Sequence, residues 1–151
     1  MRRFASCLLF VALGIFGLSD GVHAQQGVRR LAALTAGAAT SAPIGWVQFC
    51  GENPADCAQR SPVARTVNLT STAFGQLARI NLQVNREIEQ VTDMDHFGVE
   101  EYWTYPVGGK GDCEDLVLEK KRRLIALGVP REALLITVVR DLNGDGHAIL
   151  T

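Results

Sequence analysis

The chain has 151 residues, room for one domain and not comfortably two, and its 47% hydrophobic and 21% charged residues are an ordinary balance for a folded globular protein. Five prolines and 15 glycines do not suggest a disordered chain, and a net charge of −1 gives no reason to expect nucleic acid as a partner.

Met1-Arg2-Arg3 is a short basic start, Phe4 to Leu18 is an apolar run, and Val22-His23-Ala24 offers the small residues of a cleavage site. That plan predicts a secretory signal peptide over residues 1–24. A membrane anchor is the alternative, but an apolar run of about 15 residues is short for the roughly 20 that cross a bilayer. No cysteine sits at the cut, which argues against a lipoprotein. The expectation is a periplasmic or secreted protein, with no stable membrane insertion once the signal is removed. Residues 25–45 are rich in Ala, Gly and Thr and predict a loose leader or a weak first helix. Trp46 to Phe49 reads as a short strand or extended segment, and Pro54 and Pro62 keep this region irregular.

Of the four cysteines, Cys7 leaves with the signal, so Cys50, Cys57 and Cys113 remain. An odd number in an oxidising compartment implies one pair and one free thiol. Cys50 and Cys57 flank the turn-rich stretch Gly51 to Asp56, which favours a disulfide there. A metal site is less favoured, because no second Cys/His pair sits at ligand spacing. Cys113 is then the free thiol.

Thr70 to Gln90 predicts the main core helix: Phe74, Leu77, Ile80, Val84, Ile88 and Val91 recur at spacings of three and four, with Thr70 or Ser71 as cap. Thr92 to Gly111 reads as a long irregular connection with His96, the aromatics Tyr102, Trp103 and Tyr105 and a Gly108-Gly109-Lys110-Gly111 run, the expected wall of a binding cleft. Asp112 to Leu127 predicts a second helix, its first half buried and Lys120 to Arg123 forming a solvated face near the C-terminal end. Gly128 and Pro130 stop it. Leu134 to Arg140 predicts a buried strand, Asp141 to Gly146 a turn, and His147 to Thr151 a return strand. Asp141-x-Asn143-x-Asp145-Gly146 also resembles the opening of a calcium loop, but the preceding segment is strand-like where that loop needs a helix, so a hairpin turn is favoured.

Two residues are candidates for chemistry, and from the pattern alone a structural cysteine with a turn histidine is the favoured alternative. Cys113 follows a glycine-rich loop and opens a helix, where unpaired N–H groups favour a thiolate and can hold an oxyanion. Asp112, Glu114 and Asp115 oppose this, so a strong base is required, and His147 on the return strand is the candidate. His96 is a rival base, less attractive in its loop.

Trp103-Thr104-Tyr105-Pro106, Gly109 to Asp115, Leu135 to Arg140 and Gly146 to Leu150, with Phe49-Cys50 through Pro54 to Cys57 upstream, together resemble the bacterial transglutaminase-like cysteine proteinases. The resemblance covers residues 46–151. It implies an α+β fold with a papain-like, transglutaminase-like core, helices packed on a small antiparallel sheet. It implies a periplasmic cysteine peptidase with a Cys-His-Asp triad, Cys113 and His147 falling on nucleophile and base. The best-known members trim a large surface adhesin and so release biofilm cells, restrained by an inner-membrane receptor for cyclic di-GMP. Some bind calcium through acidic residues flanking the nucleophile, here Asp112 and Glu114. The sequence departs from that pattern after His147: no residue up to Thr151 matches the triad Asp, so the expected sheet is incomplete at the C-terminus, with an exposed edge and reduced activity. Two other outcomes stay open: acyl transfer to an amine, as a transglutaminase, and a non-catalytic binding module.

Overall fold

A computed structural model describes residues 38–58, 63 and 65–151. The expected signal peptide and residues 25–37 of the leader lie outside the described residues. No described helix is long and apolar enough to cross a membrane.

Helix α1 (Ile44–Glu52) begins after Pro43 and runs almost directly into α2 (Pro54–Cys57), which opens on a proline where the missing N–H costs nothing. The expected extended segment at Trp46 to Phe49 is therefore helical. Trp46, Phe49 and Cys50 fall three and four residues apart, so one face carries the apolar side chains, and packing outweighs two glycines in the helix. Phe49 is fully buried in a cluster with Trp103 and Leu118, and Trp46 and Tyr105 set their rings against it. The Cys50–Cys57 disulfide closes the two helices on each other, with Cα atoms 5.5 Å apart.

Helix α3 (Ser71–Glu87) starts where Thr70 accepts a hydrogen bond from Ala73 N. Its stripe buries Ile80 and Val84 against Leu116 and Leu124, with Ile88 just beyond the helix and Leu134 completing the second apolar cluster. Phe74, expected in that stripe, is 61% exposed. Strand β1 (Glu89–Gln90) leaves α3 and pairs in parallel with β2 (Lys110–Gly111), which brings the end of one helix beside the start of the next.

The connection between them is more ordered than expected. Thr92 accepts from Asp95 N and donates to Asp95 Oδ2, a reciprocal cap that starts the short helix α4 (Asp93–Phe97). Gly98, in the left-handed region, ends it. Val107 and Lys110 exchange backbone bonds of 3.1 Å around Gly108 and Gly109, both at positive φ, which makes a tight two-residue hairpin ahead of the nucleophile candidate.

Helix α5 (Cys113–Ala126) is buried from Glu114 to Glu119. Glu119, next to the run expected to be solvated, is 3% exposed and held by Arg122 and Arg123 at 2.6–2.8 Å. After a 3-10 turn at Arg131–Ala133, strands β3 (Ile136–Arg140) and β4 (Gly146–Leu150) form an antiparallel hairpin with Val139 opposite His147. The strand expected to be buried is only half so: Leu135 and Val138 are 61% and 50% exposed, because α5 covers one face of a two-stranded ribbon. The turn is the expected hairpin: Asp141 Oδ1 accepts from Asn143 N and Asp145 N, and Gly144 supplies the positive φ. The architecture is α+β.

Candidate active site

Three pieces of chain converge on the N-terminus of α5. The β2 strand delivers Gly111, whose bare Cα allows close approach: an added Cβ would lie 2.7 Å from Asp115 Cβ. Asp112 caps the helix through its backbone, and Cys113 is the first helical residue, half-buried. From the other side β4 brings Ala148 N to 3.5 Å from Cys113 Sγ. Residues 101–104 are strapped down by side chains: Tyr102 N donates to Asp93 Oδ2 and Thr104 N to Asp115 Oδ1. Trp103 between them is buried over Gly45, where no side chain fits.

Cys113, His147 and Ala148 line the same two clefts. No hydrogen bond joins Cys113 to His147 among the described residues; the imidazole is exposed, and the thiol donates to Glu114 Oε2 at 2.8 Å. Burial, followed by that bond to Glu114, pushes the Cys113 thiol up to about 12, while Ala148 N pulls the other way. The expected opposition of neighbouring carboxylates to the thiolate is thus present in the fold. His96 lines neither cleft: its ring stacks on Phe97, and its buried Nδ1 has no hydrogen-bond partner.

The acidic residues gather more tightly than the sequence indicated. Asp93, Asp112 and Glu114 each turn a carboxylate oxygen toward the others, all within 4.8 Å. Asp93 is 2% exposed, and Asp93 Oδ1 and Asp112 Oδ1 are buried without a hydrogen-bond partner among the described residues. Burial raises Asp112 to about 8, helped by the charge of Glu114, and raises Asp93 as well. Asp115, fully buried below, is pushed up to about 7 by burial, partly offset by the bond from Thr104 N. Carboxylate oxygens left bare at this spacing fit a hard divalent cation, which takes oxygen ligands and relieves their mutual repulsion. Sequence reasoning found Asp112 and Glu114 but missed Asp93, about twenty residues upstream. The signal available was the Thr92-x-x-Asp95 cap, which fixes a helix start and so the direction of Asp93.

No match to the chain is found among curated proteins. A family model described as bacterial transglutaminase-like cysteine proteinase matches residues 36–151, which spans every element around this thiol. The chain belongs to the bacterial transglutaminase-like cysteine proteinase family.

Proposed function

We propose that the chain is an exported cysteine peptidase in which Cys113 is the nucleophile and His147 the base. The observation that carries the reading is a half-buried thiol at the first position of α5, sharing both its clefts with His147, in a family of cysteine proteinases. His147 takes the thiol proton, Sγ attacks a peptide carbonyl, and the backbone N–H groups at the start of α5, that of Cys113 included, receive the oxyanion. His147 returns the proton to the leaving amine, and water then hydrolyses the thioester. The core is papain-like in this reading: a helix carrying the nucleophile packs on the strand carrying the base.

Asp93, Asp112 and Glu114 are proposed to hold calcium. The support is one carboxylate oxygen from each residue within 4.8 Å of the others, with Asp93 Oδ1 and Asp112 Oδ1 buried and without a hydrogen-bond partner among the described residues. Bound there, the ion would supply positive charge beside the thiol and so offset the carboxylates that oppose its ionisation.

Residues 1–24 act as a signal peptide in this account, and the site of action is the periplasm or cell surface. The substrate is a surface polypeptide, of the large adhesin kind that family resemblance suggests, with a membrane-side receptor as regulator. The test is expression of the chain, or of Cys113→Ala, in the bacterium that encodes it, with terminal-amine labelling of surface proteins. New N-termini that depend on Cys113 support hydrolysis. Incorporation of a dansylated primary amine without new N-termini supports acyl transfer instead, and binding to a surface protein without either supports a non-catalytic module.

A further inference from the structure

The basic run of α5 does not form one solvated face. Arg122 and Arg123 close over buried Glu119, and Arg123 also reaches Glu87 at 2.6 Å. Lys121 Nζ sits 6.0 Å above the Trp46 ring. Lys120 alone of the four has no ion pair, hydrogen bond or ring contact among the described residues. It is half-buried, and burial lowers its pKa with no carboxylate acting against that.

Its position gives the unspent charge a use. Lys120 lines the cleft that contains Cys113 and His147, together with Asn81 and Leu150. The same Lys120, Asn81 and Leu150 also line a second, apolar cavity of about 380 Å³ between α3, α5 and the hairpin. That cavity accounts for Phe74, which is exposed in the wall of the cavity and not spent on the core. The two spaces share Lys120 as a common wall, one apolar and the other holding the candidate nucleophile, and no Asp or Glu among the described residues lines either. The other cleft that Cys113 lines is the reverse, with Asp93, Glu100, Glu101, Asp112 and Glu114 in its walls and no Lys or Arg among the described residues.

We propose that the α3–α5 groove is the substrate-recognition subsite of the peptidase, taking an extended polypeptide segment in which an acidic side chain meets Lys120 and a neighbouring aliphatic or aromatic side chain fills the apolar cavity. This rests on the peptidase reading. The contrast between the two clefts that Cys113 lines then sets the direction of the bound chain: an acidic segment is attracted to one and repelled from the other.

The test is fluorescence anisotropy with the full chain carrying Cys113→Ser and labelled Gly/Ser heptapeptides that contain Glu-Leu, Lys-Leu or Glu-Ser at the centre. The Glu-Leu peptide is expected to bind about tenfold more tightly than either of the others, the scale of one partly shielded ion pair or one buried aliphatic side chain. Lys120→Glu is expected to invert the charge preference in favour of Lys-Leu, a rescue that a merely structural lysine would not give. Ala78→Phe, which fills the cavity, is expected to abolish the preference for Leu. Equal binding of the three peptides by wild-type residues at 78 and 120, or a charge preference unchanged in Lys120→Glu, would overturn the subsite. Iodoacetamide reactivity of Cys113, measured beside His147→Ala, reports on the peptidase reading separately: a reactive pair with no peptide preference removes the subsite alone, whereas peptide preference with an inert thiol removes the peptidase and leaves the groove as a binding site.

Discussion

At the scale of single residues, burial and charge at the start of α5 oppose each other. Asp112 at about 8 and Asp115 at about 7 sit above the 3.8 at which an unperturbed aspartate ionises, so the folded chain binds protons more tightly than the unfolded one. Stability from this source is full below about pH 4 and is lost as pH rises through about 7 to 8. The metal-free protein should therefore melt at a lower temperature at pH 8.5 than at pH 5.5. Calcium should narrow that gap, and Asp93→Asn should blunt the calcium response; differential scanning fluorimetry in chelator and in calcium reads all three. A melting temperature that rises with pH in chelator would contradict the assignment. Close packing makes a second demand. Gly111→Ala would drive a methyl into fully buried Asp115 and should cost about 1–3 kcal/mol in urea unfolding, the usual range for overpacking.

At the scale of elements, periodicity was a good guide wherever one apolar stripe met one buried surface. Helix α3 and the buried half of α5 were legible for that reason, as was the hairpin turn, whose Asp, Asn and Gly bond their own backbone. Helix α1 was not, because a nine-residue segment with two glycines carries little intrinsic preference, and its helical state depends on Trp103 and Leu118, far away in sequence. The exposure of β3 was hidden too, since β-branched composition shows that a strand forms but not how many neighbours cover it. The α1–α2 pair is held by Phe49, by the disulfide, and by Arg131 and Tyr105 on Asp56. Phe49→Ala should cost about 3–5 kcal/mol, and replacing Cys50 and Cys57 by Ala about 2 kcal/mol for so short a loop. Chemical denaturation checks both, and a neutral Phe49→Ala would mean that α1 does not pack on Trp103.

At the scale of the molecule, the site assembles residues that the sequence spreads over five separate elements or connections. Cys113 and His147 stand out as candidates in the sequence because a free thiol at a helix start and a histidine after a hairpin are local features. The acid cluster and the Lys120 groove were less visible, because each depends on which surfaces α3, α4, α5 and β4 turn toward one another. The central claim is that Cys113 and His147 form a working pair. Burial and the bond to Glu114 push the thiol up to about 12, so the pair has to be revealed by the conditions that neutralise its carboxylate neighbours. The most direct measurement is the rate of iodoacetamide labelling of Cys113 from pH 4 to 9, with calcium or with chelator, beside His147→Ala. The account predicts slow labelling in chelator, and in calcium a rate that persists well below the ordinary thiol range of about 8.5 and is lost in His147→Ala. Labelling that is unchanged by calcium and by the loss of His147 would contradict it.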